Sequence, residues 1–199
     1  MRFFRSVAWL RLALELLELN KIDAKEFAKA IRSLFEKERW KYTNLILTGP
    51  SNCGKSFLFD VLEIAFGEQC FTSPARTRFS WAGVDEADVI YLNDFRWSAE
   101  LIEWSDLLRL LEGATVKLPL PRNFYKSDLV LPRTNKVPIF ATSKGRVEFV
   151  NTLGAVDDIE TGMMKTRWTP YDFTHVFRED EVEECPPCPA CFCTLVFDQ

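Results

Sequence analysis

Eight consecutive residues constrain this chain more than any others: Gly49-Pro50-Ser51-Asn52-Cys53-Gly54-Lys55-Ser56, spaced G-x-x-x-x-G-K-S. Before them, Leu45-Ile46-Leu47-Thr48 reads as a short apolar strand. After them, Phe57 to Phe66 repeats apolar residues with helical spacing until Gly67 ends the run. A glycine loop between strand and helix is the setting in which this spacing binds phosphate. Glycines let backbone N–H groups turn inward, and the opening helix adds the positive end of its dipole. In that geometry Lys55 reaches the β- and γ-phosphates of a nucleoside triphosphate, and the Ser56 hydroxyl ligates Mg²⁺. All eight loop residues are therefore candidate binding residues, with ATP and Mg²⁺ as the ligands.

Two later segments fit the same chemistry. Asp88-Val89-Ile90-Tyr91-Leu92-Asn93-Asp94 has an apolar run that ends in an acid, the pattern of a buried parallel strand with a carboxylate at its C-terminal end. Open parallel sheets bind ligands at that end. Asp94 is the expected second Mg²⁺ ligand, either doing catalytic duty as well or leaving Asn93 to orient the attacking water. Val137-Pro138-Ile139-Phe140-Ala141-Thr142-Ser143-Lys144 reads as another buried strand ending in polar groups. Thr142 and Ser143 stand where a side chain can sense the γ-phosphate.

The remaining pattern is mostly packing. Val7, Leu10, Leu14 and Leu17 fall on one side of a predicted helix over 7–19, opposite Arg11, Glu15 and Glu18. That amphipathic reading is preferred to a targeting segment. Asp23 is placed to cap a second helix running to about Glu38, with Phe27, Ile31, Leu34 and Phe35 as its apolar stripe. Phe71-Thr72-Ser73 reads as a short strand, and Arg76 and Arg78 lie beside Phe79 and Trp81 in a loop. Ala99 to Leu111 reads as an amphipathic helix closed by Glu112-Gly113. Thr115–Leu118 and Leu129–Leu131 read as two strands flanking a loop. Lys117, Arg122 and Lys126 accompany Phe124 and Tyr125 there, the mixture of cations and rings that suits a single nucleic-acid strand. Residues 151–164 read as a partly acidic loop.

The net charge of −4 argues against a globally basic nucleic-acid binder but leaves room for a local basic channel, because five acids cluster in Glu179-Asp180-Glu181-Val182-Glu183-Glu184. No apolar run is long enough to span a bilayer, so no membrane partner is expected. Four of the six cysteines, Cys185, Cys188, Cys191 and Cys193, crowd the C-terminus. A nucleotide-binding chain belongs in a reducing compartment, so the cluster reads as a Zn²⁺ site or as a reduced, unstructured tail.

Taken in order, these parts resemble the superfamily 3 helicases, above all the helicase domain of parvovirus-type replication proteins. The resemblance covers roughly residues 24–178. It runs through Gly49–Ser56, Ile90-Tyr91-Leu92-Asn93-Asp94, Glu112-Gly113-Ala114-Thr115-Val116-Lys117 and Val137–Ser143. It implies an α/β fold of the P-loop NTPase, AAA+-like type, with a parallel central sheet and N-terminal helices. The expected division is a helical segment 1–40, a core 41–178 and an acidic, cysteine-rich tail 179–199. The resemblance also implies an ATP-dependent helicase acting on single-stranded or origin DNA in replication initiation. Such a protein would work as a homo-oligomeric ring, a hexamer, inside the cell and in the host nucleus. Arg167 stands where the family places an arginine finger, and the segment carrying Lys117, Arg122 and Lys126 is the expected DNA-facing hairpin. Three departures separate the chain from the family pattern. Asn93-Asp94 supplies one acid where two are usual, Ser143 or Lys144 closes the third motif in place of Asn, and only Gly113 stands for paired glycines. No origin-nicking nuclease motif is present, as expected of a fragment or a freestanding relative. The alternatives are a nucleotide-binding interaction module with weak hydrolysis, and a zinc-dependent adaptor.

Overall fold

A computed structural model of the protein describes residues 3–36, 44–72, 81, 83–118, 129–131, 137–151, 153–181 and 184–198. Five parallel strands form the central sheet: β1 (Asn44–Thr48), β2 (Cys70–Thr72), β3 (Val89–Leu92), β6 (Ile139–Ser143) and β7 (Trp168–Asp172), in the order β2-β3-β6-β1-β7. Every described residue of β1, β3 and β6 is buried, as expected where a parallel strand has both faces covered. Asn44 is the polar exception at the start of β1. Its amide donates to the carbonyls of Leu111 at 2.8 Å and Arg167 at 2.9 Å, which fixes the strand's entry.

Helices α1 (Phe3–Leu19), α2 (Ala24–Glu36), α3 (Lys55–Phe66) and α6 (Pro189–Phe197) share a core with one face of the sheet, made by Trp9, Phe27, Phe59, Phe140 and Leu195 among others. Asp23 caps α2 as expected, its carboxylate accepting from the Glu26 N–H at 2.9 Å. On the other side, α4 (Trp104–Glu112) and β4 (Val116–Leu118) belong to a second apolar cluster containing Trp81, Ile90, Leu107 and Trp168, and β4 pairs antiparallel with β5 (Leu129–Leu131). Lys117 faces solvent between buried Val116 and Leu118, while Arg122 and Lys126 lie outside the described residues.

The structure departs from the sequence reading in three places. The helix expected from Ala99 begins at Trp104. Upstream, the Ser98 hydroxyl takes the Glu100 N–H, and the Ser98 carbonyl closes a turn with Leu101 and Ile102. Within the stretch expected to be loop, α5 (Asp158–Lys165) forms. Asp157 caps it by accepting from Ile159 and Glu160, and Thr161 and Met164 turn inward three residues apart. The tail is not open chain. Cys188 caps α6 with its sulfur facing the Cys191 N–H at 3.4 Å, and Cys191, Phe192, Leu195 and Val196 bury one side. Burying apolar side chains of this size contributes roughly 1.5–3 kcal/mol each, enough to hold a short helix in place.

Candidate nucleotide site

Three central strands end side by side where β1 runs into the glycine loop, β3 into Asn93-Asp94 and β6 into Lys144. The loop is shaped by close approaches. A side chain at Gly49 would put its first carbon 2.1 Å from the Phe173 carbonyl oxygen, and one at Gly54 would meet the Leu16 methyls at 2.8 Å. Gly54, at φ 81°, also holds the left-handed turn that starts α3 at Lys55. The Gly49 N–H donates to the Ser143 carbonyl at 3.1 Å, tying the loop to the end of β6. Lys55 is half-buried, its ammonium resting on the carbonyls of Gly49 at 2.8 Å and Pro50 at 2.6 Å. Cys53 is buried beneath them, donating to the Pro50 carbonyl at 3.0 Å.

Ser56 meets Asn93. Its hydroxyl donates to the Asn93 amide oxygen at 3.3 Å, and the Thr142 hydroxyl donates to the same oxygen at 2.8 Å. Thr142 in turn accepts from the Asp94 N–H at 2.8 Å. These bonds join the ends of α3, β3 and β6 in one network. Asp94 was expected to share a metal with Ser56, but the strand's alternation turns it the other way. Its backbone is left-handed at φ 45°, and its exposed carboxylate pairs with Arg96 at 3.1 Å. Ser143 is buried next to Thr142, with its hydroxyl 3.5 Å from the Gly145 N–H. Ser56, Asn93 and Thr142 make an all-oxygen donor set, which fits a hard cation such as Mg²⁺.

Under this layer, the Tyr91 hydroxyl donates to Asp60 at 2.9 Å. Burial, followed by the nearby Asp60 charge, pushes the phenol well above its ordinary range, and burial raises the Asp60 carboxyl. Beside the loop, Thr48 donates to Asp172 at the end of β7, and Arg146 pairs with the other carboxylate oxygen at 2.7 Å. The Thr48 bond, ahead of Arg146, holds the Asp172 carboxyl below its usual value. Asp60, Tyr91, Arg146 and Asp172 escaped the sequence reading. The legible signal for Asp60 was an acid inside the apolar run Phe57-Leu58-Phe59-Asp60-Val61-Leu62.

Two expectations are corrected. Arg167 is buried at the N-terminal start of β7, its guanidinium committed within the chain to Glu112 and to the carbonyls of Leu108 and Met163. It is not available to a neighbouring subunit. The four tail cysteines do not form a metal cage. Cys188 and Cys191 line up along α6, Cys193 is exposed, and no group of His, Cys, Asp or Glu positioned for a metal occurs among the described residues. No described helix is long and apolar enough to cross a membrane.

No protein-family model matches the sequence, and no curated protein sequence does either. Solved structures do match. The apo C-terminal region of NrS-1 aligns with a TM-score of 0.53 at 19% identity, covering 91% of this chain and 41% of that one. The JCV helicase, from a polyomavirus, aligns at 0.52 and 15%, covering 88% of this chain and 46% of that one. The chain shares its fold with these two structures. It spans less than half the length of either of those chains.

Proposed function

We propose that this chain is the ATP-hydrolysing motor domain of a DNA-replication helicase. The observation that carries this reading is the network joining Ser56, Asn93 and Thr142 across the ends of α3, β3 and β6, next to Lys55. A triphosphate seated on the loop would place its γ-phosphate between Lys55 and that network. Lys55 would exchange its loop carbonyls for phosphate oxygens, and Thr142 and Asn93 would hold the attacking water. Mg²⁺, held by Ser56 with Asn93, would neutralise charge on the β- and γ-phosphates. The motor would work as a hexameric ring. Lys117 and the loop carrying Arg122 and Lys126 would track single-stranded DNA, with work in the host nucleus following from the replication role.

A second reading is a nucleotide-binding module with weak hydrolysis. Asn93 favours it, because an amide rather than a carboxylate faces Ser56. ATP turnover by the chain with and without single-stranded DNA separates the two. The motor reading expects turnover that DNA stimulates and that Lys55→Ala abolishes. Binding without turnover selects the module, and activity unchanged in Lys55→Ala removes the site.

A further inference from the structure

The C-terminal segment carries two overlapping C-x-x-C spacings, Cys185 to Cys188 and Cys188 to Cys191. All of these thiols are free, and none takes part in the nucleotide site. Their settings differ. Cys185 lies ahead of α6, Cys188 is half-buried at its N-cap, Cys191 is 5% exposed in its first turn, and Cys193 is exposed. We propose that Cys188 and Cys191 form a reversible thiol–disulfide pair at the head of α6, with Cys188 attacking a low-molecular-weight disulfide and Cys191 closing the ring. The inference is independent of the nucleotide assignment.

The geometry selects this pair. The Cys188 backbone is extended, at φ −127° and ψ 99°, and its sulfur accepts the Cys191 N–H at 3.4 Å. Its carbonyl accepts the Phe192 N–H at 3.0 Å, so the sulfur already lies over the turn that carries Cys191. Positions three apart on a helix have roughly 5–6 Å between their Cβ atoms, and a disulfide needs about 3.5–4.5 Å. Because Cys188 stands outside the helix proper, a small rotation of its backbone closes that gap without unwinding α6. Pro186 and Pro187 instead favour an extended spacer between Cys185 and Cys188. The turn itself is anchored, with Phe192 meeting Trp9 edge-on at 6.2 Å and Leu195 fully buried.

Exposure divides the roles. The attacking sulfur must be reached from solvent, while the resolving sulfur need only reach the first. Thiolate is the attacking species, and the open N-terminus of α6 favours negative charge at Cys188. Burial, then hydrogen bonding with Cys188, pushes the Cys191 thiol up to about 12, so it stays protonated while Cys188 is free. The part of that shift owed to the Cys188 charge vanishes once the Cys188 sulfur is bound. In the first step the Cys188 thiolate attacks RSSR, forming Cys188–S–S–R and releasing RS⁻, which takes up the proton that Cys188 lost. In the second, the Cys191 thiolate attacks the Cys188 sulfur, forming the Cys188–Cys191 bond and releasing a second RS⁻, which takes up the Cys191 proton. Two protein thiols are oxidised and one RSSR is reduced to two RSH, and excess RSH reverses both steps. A transient pair of this kind suits a reducing compartment, where permanent disulfides are rare.

Exposure of the full chain to glutathione disulfide, followed by alkylation and mass spectrometry, tests this. Cleavage after Arg178 releases residues 179–199 with all four tail thiols. The parent should lose two alkylatable thiols, at Cys188 and Cys191, and regain both in excess reduced glutathione. A neighbouring thiol has an effective concentration of mM or more, so with glutathione at about 0.1 mM ring closure should win about tenfold. Cys191→Ser should therefore hold glutathione on Cys188 at about ten times the parent's level. Cys185→Ser and Cys193→Ser should behave like the parent. Serine keeps the N-cap, so Cys188→Ser should fold and keep its Cys191 thiol. If Cys191→Ser fails to fold, mapping of the parent and of Cys188→Ser decides. A disulfide to Cys185 or Cys193, glutathione spread equally over the four cysteines, or two thiols still lost in Cys188→Ser overturns the pair. So does a parent that keeps all four thiols.

Discussion

Asn93 is a position where one atom changes the charge of the site without changing its shape. Its amide oxygen accepts from both Ser56 and Thr142, and a carboxylate oxygen can accept the same two bonds. Asn93→Asp should therefore fold like the parent and tighten Mg²⁺-dependent ATP binding. Opposite charges at about 4 Å attract by roughly 4 kcal/mol at an effective dielectric of 20, so a third of that is about tenfold in affinity. Titrations with Mg²⁺ and with EDTA check this, and an unchanged difference between them would show that Asn93 does not face the metal. Asp172 gives a pH signature. Its folded pKa is lowered, first by the Thr48 hydroxyl, so its contribution to stability is present above the unfolded value near 3.8 and is lost as pH falls through the folded pKa. Thr48→Val should raise the Asp172 pKa, as read by carboxyl NMR titration, and the stability lost on acidification should shrink, because the folded and unfolded values then lie closer together. The loop, Ser56 and Thr142 were legible because the motif and strand ends are local patterns. The facing of Asn93 rather than Asp94 was not, since it depends on the pleat of β3 and on the left-handed backbone at Asp94.

Among elements, α4 and β7 are joined by Arg167, whose side chain is 7% exposed and pairs with Glu112. Arg167→Ala leaves a carboxylate and two carbonyls short of donors, and about 3 kcal/mol of stability should be lost. Denaturant unfolding measures this, and a loss near zero would contradict the internal role. The α6 helix offers a similar test. Leu195 is fully buried against the α1, α2 and α3 layer, so Leu195→Ala should cost about 2–5 kcal/mol. An open tail would show no cost. Trp9 should behave differently, since its indole N–H is buried without a hydrogen-bond partner among the described residues. Trp9→Phe removes that donor at some loss of packing, so its cost should stay below the roughly 3–5 kcal/mol typical of aromatic-to-alanine changes. β1, β3 and β6 were legible from their apolar runs and polar ends, whereas β7, with Pro170 and alternating exposure, was not read as a strand. Neither α5 nor α6 was, for different reasons. Asp157 signals a cap only once the buried pair Thr161 and Met164 is seen, and α6 is apolar nearly all round, with cysteines that draw the eye to metal chemistry.

For the whole molecule, the antiparallel register Val116 with Leu131, Lys117 with Val130 and Leu118 with Leu129 makes the segment a true hairpin with Lys117 outward. Replacing Lys117, Arg122 and Lys126 together with alanine should reduce the salt slope of single-stranded DNA binding by about 0.7 for each lost phosphate contact. Basal ATP turnover should be retained, and an unchanged slope would place the DNA elsewhere. The sheet order has a consequence for how the chain is made. β1, which carries the phosphate loop, lies between two late strands: Leu45 pairs with Phe140, and Asn44 with Trp168. During synthesis the loop therefore leaves the ribosome long before either flanking strand exists, and pairings this distant in sequence form slowly. A nascent chain halted before Trp168 would carry every residue of the nucleotide loop while one edge of β1 stayed open, a natural place for a chaperone to hold it.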